Sequence, residues 1–540
     1  LRRLVDAALT RSLVCSELSE LQATMLYKRG DVHEVTSFRQ ISYGGAVARI
    51  VEKVVNARLT SFLTESGAIP LQQSGFQASR DCAEQTLVMG CLAERAKNLK
   101  TPHAHLHLDV KGAYPNVDHR VVLMALHRSG VTGPMLRMIQ RWLTTSRVST
   151  RFGNFKSKPV SLGKGLAQGV RFSPVVYLLV PAELSLLLKS EGAPRVEGVA
   201  LPGCDAPLDL HFADDSTLIA SGPQAMANLR VAAKLVSRYA KESGQRYNTS
   251  ARKSALCLAR TRRGPPVMVQ ESKVHTQSTH RVLGVETSAG GWKGTRSAQW
   301  ASLHPRFSSA LGIWRKSGVI TVNPMTALVG LRTYCLSTIT HSLGAWSAAH
   351  GKCGNRKKVE SLYASAAKTL LASDKLFPSE AALVALGLPS VDRLASQSRI
   401  ALLCKTIVRP AADNARAVVR SDYMARVMNA DGAVELGWVE QIVADVDDCS
   451  CMTVEMSDGN PVVGSEVTER LHAAIVSADD EVDWTEQDAR DLKRLFNAVV
   501  AERVEKSLRS KSSLSEVDPW LMDKDLSSPV PAFTVSPRSA

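Results

Sequence analysis

Two adjacent carboxylates, Asp214 and Asp215, stand between an apolar run, Leu208 to Phe212, and a β-rich run, Ser216 to Ala220. The pattern predicts a tight hairpin with both acids at its tip. A third acid, Asp109, closes the alternating segment His105-Leu106-His107-Leu108-Asp109. Alternation with period two predicts a strand whose Leu106, Leu108 and Val110 share one face. His105, His107 and Asp109 share the other, which puts Asp109 on an open face near the strand's C-terminal end. Taken singly, an Asp-Asp turn and a strand-end Asp are ordinary solvated acids. Neighbouring carboxylates repel each other and are costly to desolvate. If both strands join one sheet, the acids converge and can hold a pair of divalent cations. Hard cations such as Mg²⁺ take oxygen ligands and keep room for phosphates. Two of them can clamp the attacking and leaving oxygens of an in-line phosphoryl displacement.

The elements that must position these acids alternate irregularly between helix and strand from residue 37 to about 285, an α+β pattern. A stripe of Val47, Ile50, Val51, Val54, Val55, Leu59, Phe62 and Leu63 predicts an amphipathic helix ended by Gly67. Gln73 to Arg80 reads as a polar loop, and a second helix runs from about Asp81 to Leu99. Asp118 caps a helix that stops at Gly130, and Pro134 opens another. Residues 147–163 read as a polar hairpin carrying Phe152 and Phe155. The glycine-rich turn Gly163 to Gly169 precedes a helix from about Ser173 to Lys189. After the acidic hairpin, Pro223 starts a long helix that ends at Gly244.

Composition bounds the partners. The chain has 540 residues and a formal net charge of +16, which favours a polyanion. No stretch is expected to span a bilayer, because Pro181 and Glu183 interrupt the best candidate, Val175 to Leu188. The ten cysteines form no CxxC or zinc spacing, so reduced thiols in an intracellular protein are expected. The first residue is Leu, so an N-terminal targeting signal would not be visible.

In order along residues 37–290, the sequence resembles the reverse transcriptase of a non-LTR (LINE-type) retrotransposon. Leu108-Asp109-Val110-Lys111-Gly112-Ala113-Tyr114 resembles the first palm motif, and Gly165 to Pro174 the second. Phe212-Ala213-Asp214-Asp215 matches the third. Gly244 through Asn248 to Lys253 is similar to the fourth, and Arg281-Val282-Leu283-Gly284-Val285 to the fifth. Phe38 to Ile41, Arg49 to Lys53 and Gln73-Ser74-Gly75-Phe76 resemble the fingers motifs.

The resemblance implies a right-hand polymerase fold: fingers, a palm with a ferredoxin-like antiparallel sheet, a helical thumb and a helical C-terminal extension. Asp109 and Asp214 would bind two Mg²⁺ ions, or Mn²⁺, with Asp215 beside them and the Val110 carbonyl completing one shell. Tyr114 would block a ribose 2′-hydroxyl. Gln168 and Gly169 would lie along the template and nascent base pair. Lys253 would sit near the leaving pyrophosphate as its general acid. Arg80 and Arg39 would meet the incoming triphosphate, since guanidinium suits phosphate geometry. Three positions depart from the pattern: Ala167 replaces a usual Pro, Pro115 a common Asp, and Gln77 a frequent Arg.

On this reading residues 1–36 are a leader and linker, 37–290 fingers and palm, 291–410 the thumb, 411–526 a helical region of unknown role, and 527–540 a disordered tail. The expected activity is RNA-directed DNA polymerisation in retrotransposon replication. The expected partners are an RNA template, a DNA primer or target and deoxynucleoside triphosphates, with no membrane, and the expected location is the nucleus. Two rivals stand beside it: an inactive nucleic-acid-binding descendant, and a host telomerase-like or intron-encoded polymerase.

Overall fold

The computed structural model describes residues 2–28, 30–196, 208–261, 264–347, 354–410, 412–428, 438–454, 461–477 and 483–509. The tail expected at 527–540 lies outside them. The chain divides into two units. Among the described residues the first takes in those up to Asp81, Pro102 to 196, and 208 to Gln277; the second takes in Cys82–Thr101 and the chain from Ser278 onward.

The strands that carry the two main sheets of the first unit are, in chain order, β1 (Glu20–Tyr27), β2 (Phe38–Tyr43), β3 (His103–Leu108), β4 (Arg147–Phe152), β5 (Phe155–Lys156), β6 (Val160–Ser161), β7 (Leu208–Phe212), β8 (Asp215–Ser221) and β9 (Ala255–Ala259). Five of them build a sheet in the order β2-β1-β4-β5, with β6 also on β4 and β1 parallel to β4. Residues 1–36 are therefore not a leader and linker. They supply a helix, Arg2–Thr10, and the strand β1 that holds β2 and β4 together.

The other sheet runs β9-β3-β8-β7, antiparallel throughout, with a short strand, Thr276–Gln277, added parallel to β9. Helix Ser173–Ser190 precedes β7, and helix Ala225–Ser243 joins β8 to β9. This is the ferredoxin-like strand order. Its alternation sorts the side chains: Leu106, Leu108, Leu218 and Leu256 enter one core with Val176, Leu229 and Val236 from the two helices. Each leucine so buried contributes roughly 2 kcal/mol. Helix Ser173–Ser190 is in fact long and apolar enough to cross a membrane. Its Val175 to Val180 stretch lies in this core instead.

Two expectations about faces change. In helix Ala46–Glu65 the buried line is Ala48, Val51, Glu52, Val55, Leu59 and Leu63, while Val47, Ile50 and Phe62 are exposed. Apolarity spread round the helix, so its sequence did not fix which side the core takes. The histidine face of β3 is not open either: His103, His105 and His107 are all buried. They are held in a ladder, with His103 Nε2 2.7 Å from His105 Nε2 and His107 Nδ1 3.0 Å from Thr217 Oγ1. Burial holds the His103 and His105 imidazoles neutral, His105 pushed down to about 3.

The second unit is helical apart from two short hairpins, among the described residues. Helix Cys82–Asn98 belongs to it: the Gly90 backbone lies against the Trp292 indole, and Glu94 accepts from the Trp292 N–H at 2.8 Å. Arg95 pairs with buried Asp422 at 3.0 Å, and Arg409 with Glu84.

Candidate active site

The β3–β8 register positions the acids. His107 pairs with Thr217 and Leu108 with Ser216. Asp109 directly follows β3 and Asp215 opens β8, so the register brings both to one end of the sheet, where the Asp109 charge acts on Asp214 and Asp215. The turn between β7 and β8 is two residues, Ala213 and Asp214, with Ala213 at φ +56°. A positive φ at the first central position is the hairpin-compatible sign of a type II′ turn.

An alanine in that conformation needs outside support, and the loop at Gln73 gives it. Ser74 N–H donates to the His211 carbonyl at 2.8 Å, and His211 N–H to the Gln72 carbonyl at 2.9 Å. The loop thus adds a short parallel bridge to β7. Buried Gln73 accepts through Oε1 from the N–H groups of both Ala213 and Gly75 at 2.8 Å. A Cβ on Gly75 would stand 2.3 Å from the Ala213 nitrogen, so only glycine allows this approach.

Asp109 is fixed by the segment Asn248 to Ser254. Its carbonyl accepts from Asn248 N–H at 2.8 Å, its N–H donates to Ser254 Oγ at 3.1 Å, and its Oδ1 accepts from Lys253 Nζ at 2.8 Å. The next residue, Val110, bridges to Tyr247 through hydrogen bonds made by its neighbours. In that geometry the Val110 N–H and C=O point away from Tyr247.

Burial pushes the Asp214 carboxyl up, and the Asp109 charge adds to this, while Lys253 and Arg39 pull it back. Asp215 is pushed up to about 7, first by burial, then by Asp214 and Asp109. The three acids are therefore one coupled group, short of positive charge. Among the described residues no three His, Cys, Asp or Glu side chains form a ready metal-holding group; here one Asp109 oxygen is given to Lys253. The donor set nonetheless fits a divalent cation: carboxylate oxygens, a neighbouring carbonyl, and acids whose desolvation a cation would offset.

Tyr114 stacks on buried Tyr177, ring centroids 4.8 Å apart and planes 16° apart. Its hydroxyl is buried with no hydrogen-bond partner, and burial and the Asp214 charge push its pKa up. The Gln168 carbonyl accepts from Ser42 N–H at 2.6 Å. Gly169, at φ +116°, passes so close to β2 that a Cβ would meet the Ser42 carbonyl at 2.2 Å. Arg39 is exposed on β2, close enough for its charge to act on Asp214. Arg80 donates to the Leu71 carbonyl at 2.9 Å. The fold thus gathers Asp109, Val110, Asp214, Asp215, Lys253, Tyr114 and Arg39 at one end of the sheet. Gln168 and Gly169 lie against the β2 backbone, and Arg80 is anchored to the backbone at Leu71.

The family model for reverse transcriptase (RNA-dependent DNA polymerase) matches residues 27–287. These residues are a reverse transcriptase domain. The domain is of the LINE type, and its fold is that of the right-hand polymerases. The Pol polyprotein of retrotransposable element R2 from Popillia japonica is 24% identical over 219 residues, 40% of this chain and 30% of its own. The probable RNA-directed DNA polymerase of transposon X-element from Drosophila melanogaster is 24% identical over 266 residues, 48% of this chain and 28% of its own. The chain thus spans less than a third of these relatives. A telomerase from Candida tropicalis, solved with a fragment of telomeric RNA, covers 80% of this chain and 65% of its own at 12% identity and a TM-score of 0.39. That likeness is too loose to bear on function.

Several residues of the reverse transcriptase site carry no chemical signal of their own. Ser254 and Asn248 act through backbone and hydroxyl contacts with Asp109. Glu52 is fully buried and accepts from Arg171 N–H at 3.1 Å, tying helix Ala46–Glu65 to the segment after Gly169. A glutamate in line with Ala48, Val55 and Leu59 was the sign available for it.

Proposed function

We propose that this chain is an RNA-directed DNA polymerase that extends a DNA 3′ end on an RNA template during retrotransposition. One observation supports the reading: within a reverse transcriptase domain, the β3–β8 register ends with Leu108 opposite Ser216, and Asp109, the next residue, is close enough for its charge to act on both Asp214 and Asp215. In the reaction the primer 3′-hydroxyl attacks the α-phosphate of a deoxynucleoside triphosphate and pyrophosphate leaves. Asp109, Asp214 and Asp215, with the Val110 carbonyl, would hold two Mg²⁺ ions, Mn²⁺ serving as a substitute. When bound, these ions supply Lewis acidity and offset the negative charge that gathers on the reacting oxygens.

The remaining work falls to the chain's own residues. The Gln73 clamp keeps the acidic tip in register, so the carboxylates need no reorganisation during reaction. Tyr114, braced on Tyr177, would exclude a 2′-hydroxyl and so select deoxynucleotides. Arg39 and Arg80 would bind the triphosphate, and Gln168 and Gly169 would border the base pair. Lys253 Nζ, once released from Asp109, would give a proton to the departing pyrophosphate. The RNA template, the DNA primer and a nuclear place of work belong to this same proposal.

Purified protein with poly(rA)/oligo(dT), dTTP and Mg²⁺ is expected to extend the primer. Asp214→Asn should lower extension by on the order of a thousandfold, the scale of losing several kcal/mol of charge stabilisation, with the melting temperature kept or raised. Duplex binding without nucleotide addition by the wild-type protein would leave a nucleic-acid-binding function alone.

A further inference from the structure

Strand β8 carries three buried hydroxyls, those of Ser216, Thr217 and Ser221. Each stands directly across the sheet from a histidine: Ser216 from His211 on β7, and Thr217 and Ser221 from His107 and His103 on β3. In every pair the imidazole Nδ1 meets the hydroxyl oxygen, at 2.8, 3.0 and 2.6 Å in that order. Two of the rings are also held at Nε2. His211 Nε2 lies 2.9 Å from Asp209 Oδ2, and buried Asp209 accepts as well from Ser185 Oγ on helix Ser173–Ser190. His103 Nε2 lies 2.7 Å from His105 Nε2. Nucleotide addition needs none of these groups as acid, base or ligand.

What they set is register. Ser216 and Thr217 directly follow Asp215, and successive side chains of a strand take opposite faces. The two pairs nearest the tip therefore grip β8 on both faces, one from each neighbouring strand. Local sequence specifies this register weakly. A two-residue turn is usually fixed by Gly or Asn, and here it is Ala213-Asp214. Apolar side chains are buried on both faces of β8, Leu218 on one and Ile219 on the other. Burial thus penalises a slip less than in a strand with one polar, open face. Directional bonds discriminate better, because a slip buries three hydroxyls and three imidazoles away from these partners. It would also turn Asp215 to the opposite face. We infer that His211 and His107, acting through Ser216 and Thr217, are positioning residues that lock β8 in register and so aim Asp215 into the cation site. The inference rests on the proposed role of the acids as metal ligands.

The whole chain is titrated with Mn²⁺ well below its melting temperature, and the paramagnetic resonance signal of the free ion reads the binding. Loss of binding in Asp214→Asn assigns it to the acids. Ser216→Ala with Thr217→Val removes both hydroxyls and should weaken Mn²⁺ binding by about tenfold or more. The kcat for primer extension should fall with it, and the KM for dTTP should stay near the wild-type value. His211→Asn and His211→Gln separate aiming from packing. The Asn amide reaches the place of Nδ1 and keeps a bond to Ser216, whereas the Gln amide reaches the place of Nε2, toward Asp209. Asn should hold Mn²⁺ affinity near wild type, and Gln should lose it as the double variant does. Equal affinity in the Asn and Gln variants would overturn the inference. So would melting temperatures in chelator that fall while Mn²⁺ affinity of the folded protein stays constant, since the pairs would then serve stability alone. Failure of the wild type to bind Mn²⁺ would overturn the metal-ligand reading and this inference together; binding that no variant alters would overturn only the inference.

Discussion

Lys253 Nζ stands 2.8 Å from Asp109 Oδ1, so an ammonium sits where the acids are short of positive charge. The pair is partly open to solvent and worth at most about 1 kcal/mol by itself. Its removal leaves three coupled carboxylates with less compensation. Lys253→Met is expected to lower the melting temperature in chelator by a few degrees, and added Mg²⁺ or Mn²⁺ should restore it. Primer extension should fall by about tenfold or more if the proton at Nζ is used. Melting curves in chelator and in metal check the first part, and single-turnover extension checks the second. Identical curves for variant and wild type in chelator would remove the counter-ion role.

The acids also set a pH dependence. Asp215 is pushed up to about 7 by burial and by its two acidic neighbours. A carboxyl raised in the folded state contributes stability that is complete below its unfolded value, about 4. That stability is lost as pH rises through about 7. Metal-free protein should therefore have this contribution at about pH 5 and lack it at about pH 8, and Asp215→Asn should flatten the difference. Metal binding below about pH 7 should release protons, because a cation competes for the charged form. Calorimetry in two buffers of different ionisation enthalpy measures that release.

Support of the hairpin tip by Gln73 and Gly75 gives a third expectation. Gly75→Ala places a methyl 2.3 Å from the Ala213 backbone nitrogen, where no flexible side chain can give way. The tip must shift, and extension should fall at least tenfold while the protein stays folded. Gln73→Ala removes the acceptor shared by two buried N–H groups, at a cost of about 1–3 kcal/mol. Chemical denaturation together with extension rates distinguishes the two variants. Full activity in Gly75→Ala would show that the loop does not hold the acids.

Tyr114 offers a selectivity test. Its hydroxyl is buried without a partner, and its ring is braced by Tyr177. Tyr114→Val should open room beside the sugar. The ratio of kcat/KM for dTTP over UTP is expected to fall by about tenfold or more, with extension by dTTP largely kept. An unchanged ratio would assign the ring to packing alone.

Much of this was legible locally. Alternation through residues 105–110 marked β3, which the structure begins two residues earlier at His103, and Asp118 and Gly244 marked the helix ends where the structure has them. The acidic hairpin, too, is where its flanking runs required it. Less visible was the side of helix Ala46–Glu65 that is buried, because apolar residues lay on more than one side of it. The strand Glu20–Tyr27 was missed as well. Its worth comes from pairing parallel with β4, more than a hundred residues away along the chain, and no local pattern encodes such a partner.

The division has a physical cause. Sequence by itself determined which residues are acidic, which segments alternate, and where turns and caps fall, since each depends on near neighbours along the chain. Tertiary structure alone decided that Asp109 comes within reach of Asp214 and Asp215, that Gln73 and Gly75 brace Ala213, and that the histidine face of β3 is buried. Period two fixes the face a side chain takes within its own strand, but not the strand it meets or the register of their pairing. Those are chosen by packing over the whole sheet, where a slip of one residue would turn Leu106 and Leu108 out of the core and carry Asp109 away from its partners.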